Sequence, residues 1–356
     1  MRGRSTPSVC LASEETETRG SIASTFTIAD LCSRYRDFTR SHYFRRDGSP
    51  TTEVRDIPLS LRELDSLFGP TPARDFSISR LNAVRDEMVS RSKLARKVVN
   101  QRIGRVKKLF KWAHERGFLP MEIFLSLQLL TGLQLGRTPA PEYDDVEPVP
   151  LELVSAILPH VSPIVRAMIG VQLLAGMRPD EATQIRAIYL DRDSFEGTWE
   201  YRPPRHKTAW RGKERVAAIG PGARLRRAPF LDRPPNHFLF SPAESVAWWR
   251  ERRRAARQTK RTLSEKARRP LEAPKQKPGV CYTVGSYGKS IEYGGARAGV
   301  GRWTPNQLRH TAATEVEKVF GLEGAQAHLG HGDPKTTRIY AKGQQERARE
   351  IARERG

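Results

Sequence analysis

The chain has 356 residues, 38% hydrophobic and 29% charged, long enough for two domains that each bury a core, and no apolar run approaches the roughly 20 residues of a membrane-spanning helix. Sixty-two Lys and Arg stand against 40 Asp and Glu, a formal charge of +22. Self-repulsion on that scale argues for an anionic partner, and nucleic acid fits better than a membrane surface because no amphipathic segment carries a large apolar face.

Residues 1–24 mix Ser, Thr, Glu and Arg with no uninterrupted apolar stretch, so residues 1–25 read as a flexible tail and not as a signal peptide. Cys10, Cys32 and Cys281 are too scattered for a disulfide framework or a metal site; a cytoplasmic, reducing location and no cofactor are expected. The first helix starts at Thr27, an N-cap followed by Asp30 in the first turn, and continues through Ile28, Leu31, Cys32, Tyr35 and Phe38 at helical spacing. A second helix is predicted over 59–67 and a third over 78–89. In the fourth, Val99, Ile103, Val106, Phe110 and Ala113 recur at spacings of 4, 3, 4 and 3, which puts them on one face, and Gly117 is its stop. Arg96, Lys97, Arg102, Arg105, Lys107, Lys108 and Lys111 take the other faces. Of these, Arg96, Lys97, Arg102, Arg105 and Lys108 are candidates for lying along DNA phosphates, with a solvated helix exterior as the plainer alternative. Residues 26–135 thus read as a small helical domain. Residues 136–150, with four prolines and several acids, read as a stiff linker and the best domain boundary.

A second domain is expected over 151–356. Ser162 caps a helix with Pro163 at its first position; Ile164, Met168, Val171 and Ala175 form its buried stripe, and Gly176 ends it. Pro179 starts the next helix, with Asp180 and Glu181 in its first turn. Residues 197–201 and 215–219 read as two short strands joined by the basic loop PPRHKTAWRGKE. A basic insertion follows at about 243–278, with Trp248 and Trp249 as an anchor at one end; residues 250–277 hold 12 basic and 3 acidic side chains, and Pro270, Pro274 and Pro278 break the second half. Whether it is a solvated run or faces DNA stays open on sequence grounds. Residues 304–340 return to helices, and 341–356 form a basic, helix-prone tail.

Four short elements carry the chemistry: AGMRPDEA around Arg178, RHKTAWRGK around Lys207, TPNQLRHTAAT around Arg309, and HLGHGDPKTTRIYAK with His331 and Tyr340. Breaking a phosphodiester without a metal requires a nucleophile that forms a covalent phosphate ester, fixed cations on the non-bridging oxygens and an acid for the leaving oxygen. A phenol is weak at neutral pH, its pKa being about 10. Neighbouring guanidinium groups favour the phenolate and stabilise the transition state. Arginine never loses its charge and grips phosphate bidentately, whereas a loop lysine can surrender a proton.

In order and spacing these elements resemble the motif boxes of the tyrosine recombinase (phage integrase) family, over roughly residues 27–345. The resemblance implies that Arg178 and Arg309 bind the scissile phosphate, with Glu181 and His310 as structural support. It implies that Lys207, in its His206-Lys207-Thr208 setting, protonates the leaving 5′ oxygen; Lys213 of the same hairpin is the alternative, and Arg211 joins the DNA-contacting cations. His331 would hold the phosphate, and Tyr340, nine positions later, would be the nucleophile. Asn306 stands where the family usually places a histidine; asparagine can donate to a phosphate oxygen but is no general base, so the acceptor of the Tyr340 proton is not identified. The fold implied is mainly α with a small β-hairpin or sheet: a helical, SAM-like core-binding domain that closes on DNA, then a mixed α+β catalytic domain. The implied partner is double-stranded DNA at specific sites, bound by a homotetramer, with no membrane, metal or ATP. Two alternatives are a catalytically inactive DNA-binding relative, to which Asn306 alone points, and a type IB topoisomerase-like enzyme acting singly, which the core-binding domain and motif spacing disfavour.

Overall fold

The computed structural model describes residues 26–45, 48–91, 93–195, 197–206, 212, 214–225, 230–260, 262, 264, 267, 277–330 and 353. The chain divides into two compact units, Met1–Asp145 and Val146–Gly356.

The described part of the first unit is helical: α1 (Ile28–His42), α2 (Glu53–Phe68), α3 (Ile78–Ser90), α4 (Arg96–Glu115) and α5 (Met121–Gln128). Thr27 caps α1 in a reciprocal box, its hydroxyl accepting from the Asp30 amide while Asp30 accepts from the Thr27 amide. The predicted apolar face of α4 is buried from Val99 to Ala113, joined by Leu109 and Trp112, and packs on Leu31, Tyr35, Leu61 and Leu64. Helix α2 starts at Glu53, not at residue 59, and carries Pro58 within it. The proline forfeits one hydrogen bond in the second turn, but Ile57, Leu61 and Leu64 bury one face across it, and that burial outweighs the loss. The proline-rich segment read as a linker is held along α4 by its early part: the Arg96 amide donates to Pro141 O at 3.1 Å, and Ala140 is buried.

The second unit runs α6 (Leu151–Ile157), α7 (Pro163–Ala175), α8 (Pro179–Thr183), β1 (Leu190–Phe195), β2 (Thr198–Tyr201), β3 (Ala217–Ile219), α9 (Pro221–Leu225), α10 (Pro242–Ala255), α11 (Val284–Ala298) and α12 (Pro305–Leu329). Helix α12 is broken at Gly321, where φ is +73°. The expected two-stranded hairpin is part of a three-stranded antiparallel sheet of order β1-β2-β3, with Leu190 opposite Tyr201 and Tyr201 opposite Ala217. Strand β1, LDRDSF, is the one that sequence pattern missed; it lacks apolar alternation. Helix α7 lies at the centre, buried at Ile164, Val165, Met168, Ile169 and Val171, against α12, β3 and α10. Within the basic stretch, α10 is seated by Ser245, whose Oγ lies 2.6 Å from Ser162 Oγ and accepts from the Tyr282 hydroxyl at 2.6 Å. Among the described residues no helix is long and apolar enough to cross a membrane, and no His, Cys, Asp and Glu group is arranged to hold a metal ion.

Candidate active site

Helix α7 stops at Gly176, which takes the left-handed conformation (φ +57°, ψ 22°). A side chain there would also meet the His328 ring at 2.8 Å, so both conformation and space call for glycine. Two residues later Arg178 is the N-cap of α8, and Pro179 occupies the first helical position. This reversal places Glu181 so that its carboxylate accepts from the Arg178 amide at 3.0 Å and from Arg178 Nη1 at 2.9 Å.

Glu181 is fully buried. Beyond Arg178 it receives Arg215, from the residues leading into β3, whose Nε and Nη2 each lie 3.4 Å from a carboxylate oxygen. Arg215 Nη1 donates to Val216 O at 2.8 Å, and its side chain is 3% exposed. The Tyr201 hydroxyl of β2 donates to Glu181 O at 3.2 Å. Burial by itself would raise the Glu181 pKa, but Arg215, the Arg178 amide and guanidinium, and Arg309 outweigh it and hold the carboxyl below its ordinary range.

From α12, Arg309 reaches the same place. Its Nη1 donates to Gly176 O at 2.5 Å and its Nη2 to Leu329 O at 2.9 Å, both buried bonds. One guanidinium therefore clamps the end of α7 to the end of α12. Gln172 adds a second tie, donating to Met177 O at 3.3 Å and Pro305 O at 2.7 Å. Thr311 and Gln307 donate to Val149 O and Glu147 O, which brings the chain before α6 against α12.

Arg178, Glu181 and Arg309 are thus brought together, as the motif order predicts. Arg215 belongs with them and sequence reading missed it; the only signal was a cation beside a short apolar strand. Two guanidinium groups pair with the Glu181 carboxylate and a third, Arg309, lies within electrostatic range of it, a local excess of positive charge. His206 lies within electrostatic range of Glu181, Arg178 and Arg215, and burial is the main cause that lowers its pKa. His328, another residue not singled out, packs on Gly176; its Nε2 is buried with no hydrogen-bond partner among the described residues, and burial, then Arg215 and Arg309, lowers its pKa. Asn306 is exposed in the first turn of α12, one turn before Arg309. Its Nδ2 lies 3.1 Å from His310 Nε2. Lys207, Arg211, Lys213, His331 and Tyr340 lie outside the described residues, although Gly330, next to His331, is described: it is left-handed (φ +62°) and presses against the Arg215 guanidinium.

Most of the α4 cations expected to lie along DNA have partners in the described part of their own unit. Arg102 meets the buried Glu63 at 3.3 Å, and Arg105 grips Glu53 through two bonds of 3.0 and 2.9 Å. Arg96 pairs with Glu142 and donates to Leu133 O at 3.2 Å; Lys97 meets Asp145 at 3.0 Å on an exposed surface. Lys107 donates to Leu130 O at 2.7 Å, and Lys108 is exposed. Arg96, Arg102 and Arg105 are thereby committed to contacts within their own unit.

The description "Phage integrase family" matches residues 153–347, a span that holds all four motif elements. The chain belongs to the phage integrase family. Membership makes it an enzyme of the tyrosine recombinase type, and its helices around a three-stranded sheet form the integrase catalytic fold. Among solved structures, a lambda integrase fragment, as a dimer bound to a COC′ core site, is 12% identical, with 88% of this chain and 95% of that one covered and a TM-score of 0.60. XerH site-specific recombinase bound to palindromic difH substrate, a post-cleavage complex, is 15% identical over 94% of this chain and 96% of that one, with a TM-score of 0.59. A lambda integrase tetramer bound to a Holliday junction is 11% identical over 91% and 80%, with a TM-score of 0.60. At such identities the likeness is one of fold. None of the curated proteins matches this sequence.

Proposed function

We propose that this integrase cuts and rejoins double-stranded DNA at a specific site through a 3′-phosphotyrosyl link on Tyr340. The observation that carries this reading is the cluster of Arg178, Arg215 and Arg309 around the single buried carboxylate of Glu181. With one carboxylate set against three guanidinium groups, the cluster keeps a net positive charge that attracts a phosphate diester. Glu181 and the backbone carbonyls of Gly176 and Leu329 hold the guanidinium groups in place before DNA arrives, so little reorganisation is left for the transition state.

In the proposed reaction the Tyr340 oxygen attacks the scissile phosphorus and the bond from phosphorus to the 5′ oxygen breaks. Arg178 and Arg309 hold the non-bridging oxygens, with His331 and Asn306 beside them. Lys207 gives its proton to the leaving 5′ oxygen. A 5′ hydroxyl from a partner strand then attacks the phosphotyrosine and returns its proton to Lys207, and Tyr340 leaves as the phenolate, which takes a proton back from water. The ester keeps the energy of the broken bond, so the cycle needs no ATP. Asn306 offers an amide and not a base, so loss of the Tyr340 proton is assisted by the arginines or taken by water. A homotetramer on DNA is the assembly that fits, supported by the similar fold of the lambda integrase tetramer bound to a Holliday junction. A cytoplasmic, nucleoid-associated location follows from that substrate.

The test is a nicked duplex that carries the recombination junction of the element encoding this chain. Wild type should be trapped as a covalent DNA adduct, and Tyr340→Phe should form none. No adduct from wild type on that junction would favour an inactive DNA-binding relative, and relaxation of supercoiled plasmid lacking the junction would favour a topoisomerase.

A further inference from the structure

The two basic helices of this chain differ in how their charge is spent. The arginines of α4 are neutralised inside their unit, as described above. On α10 and the five residues after it the opposite holds. Arg250, Arg252, Arg253, Arg254 and Lys260 form no ion pair among the described residues, and every residue from 250 to 260 is exposed. Their visible contacts are with neutral groups: the Arg252 guanidinium sits 5.2 Å from the Trp248 ring, and Arg253 Nε donates to Trp249 O at 3.3 Å. Trp249 in turn is covered by Arg297 at 4.2 Å, and the two indoles meet edge to face at 4.7 Å. The first turns of α10 are therefore anchored by Ser245 and the tryptophans, and its last turns project Arg250, Arg252, Arg253 and Arg254, which no carboxylate among the described residues pairs with.

We propose that residues 250–260 are a second contact with duplex DNA, gripping phosphates away from the cleaved position. Helical geometry places Arg250 and Arg254 four residues apart on one face, about 6 Å apart along the axis, opposite the Ser245 side that seats the helix. Arginine suits phosphate because its fork matches two oxygens at once. The other anionic partners fit less well. An acidic protein partner needs an apolar or aromatic interface centre, and a membrane surface needs an apolar face, yet the apolar side chains in this stretch are Ala255 and Ala256 alone. The seat of α10 at Ser245 is also separate from the arginine cluster. Ser245 is bonded to Ser162 at the start of α7, whereas Arg309 is bonded to Gly176 at its end. Fourteen residues of helix put these points about 21 Å apart, or about six base pairs of duplex at 3.4 Å each. The contact would add affinity for DNA flanking the cut without touching the reacting atoms.

This inference rests on the reading that duplex DNA is the substrate, and its test keeps the two apart. Binding to a random-sequence duplex of about 30 base pairs is measured from about 50 to about 200 mM salt, for wild type and for the triple variant Arg250→Gln, Arg253→Gln, Arg254→Gln. Each phosphate contact contributes roughly 0.9 to the slope of log affinity against log salt, so the triple should flatten that slope by about 2 to 3. The matching triple with Lys at all three positions should keep the slope, because the charge is retained. A flattening below about 1, or one seen on an RNA duplex and not on DNA, would overturn the proposal; so would a Lys triple that loses as much as the Gln triple. Covalent adduct formation by the Gln triple at saturating protein should equal that of wild type. An adduct with an unchanged slope refutes the α10 contact alone, whereas a flattened slope with no adduct refutes the recombinase reading alone.

Discussion

Replacing Glu181 by Gln removes the one negative charge at the centre of the arginine cluster while keeping its volume. Two of its partners, Arg178 and Arg215, are 22% and 3% exposed on their side chains, so water can do little for Arg215 once its counter-ion is gone. Breaking a buried ion pair from one side costs roughly 3 to 5 kcal/mol. The Arg215 contacts are 3.4 Å long and Val216 O keeps one of its N–H groups, which favours the lower end. A loss of about 3 kcal/mol in a unit of this size lowers its melting temperature by roughly 6 to 12 °C, measurable by calorimetry at pH 7. The pH dependence has a definite sign. The folded Glu181 carboxyl is held below its ordinary value of 4.5, so its stabilisation is complete above that value and disappears as pH falls through the lower folded value. The gap between wild type and variant should therefore be constant from pH 7 to pH 5 and close at more acid pH. The double variant Glu181→Gln, Arg215→Met should recover part of the loss, since it removes the stranded cation. A melting temperature within about 2 °C of wild type at pH 7 would refute the charge-balance argument, as would a gap that persists undiminished in acid.

Further outcomes follow from the same geometry. Gly176→Ala forces a left-handed residue to carry a Cβ that meets His328 at 2.8 Å and Leu329 at 3.0 Å; it should cost about 2 to 4 kcal/mol in thermal unfolding. Adding His328→Ala should relieve the closer of the two collisions and recover part of that loss, with the left-handed strain and the Leu329 contact remaining. Arg309→Lys puts a single ammonium where a fork now bonds Gly176 O and Leu329 O, so covalent adduct formation should fall by about 100-fold or more in a timed trapping assay while Tyr340→Phe stays at zero. Arg105→Gln breaks the two bonds to Glu53. It should destabilise the first unit by about 1 kcal/mol and leave the salt slope of DNA binding unchanged, the reverse of the α10 triple.

The helix ends were legible because their causes are local: the cap at Thr27, Ser162 followed by Pro163, and the stop at Gly176 each depend on residues within a turn. The motif elements were legible for a different reason. Their residue types and order match the family that spans residues 153–347, and the structure brings Arg178 and Arg309 together, whereas Lys207, His331 and Tyr340 lie outside the described residues. Strand β1 was not legible, because its side chains lack the apolar alternation that marks a half-buried strand. Nor were the partners of the arginines. Arg105 on α4 and Arg254 on α10 look alike in sequence, yet Arg105 lies against Glu53, 52 positions away, and Arg254 has no carboxylate beside it among the described residues. Arg215 joined the site only because β3 pairs with β2 and delivers its guanidinium to a carboxylate 34 positions upstream. The sequence by itself determined which groups are present and where the locally capped helices begin or stop. Only the tertiary structure decided which charges are neutralised, because a charge is balanced by whatever the fold brings within about 4 Å, and that distance is indifferent to separation along the chain.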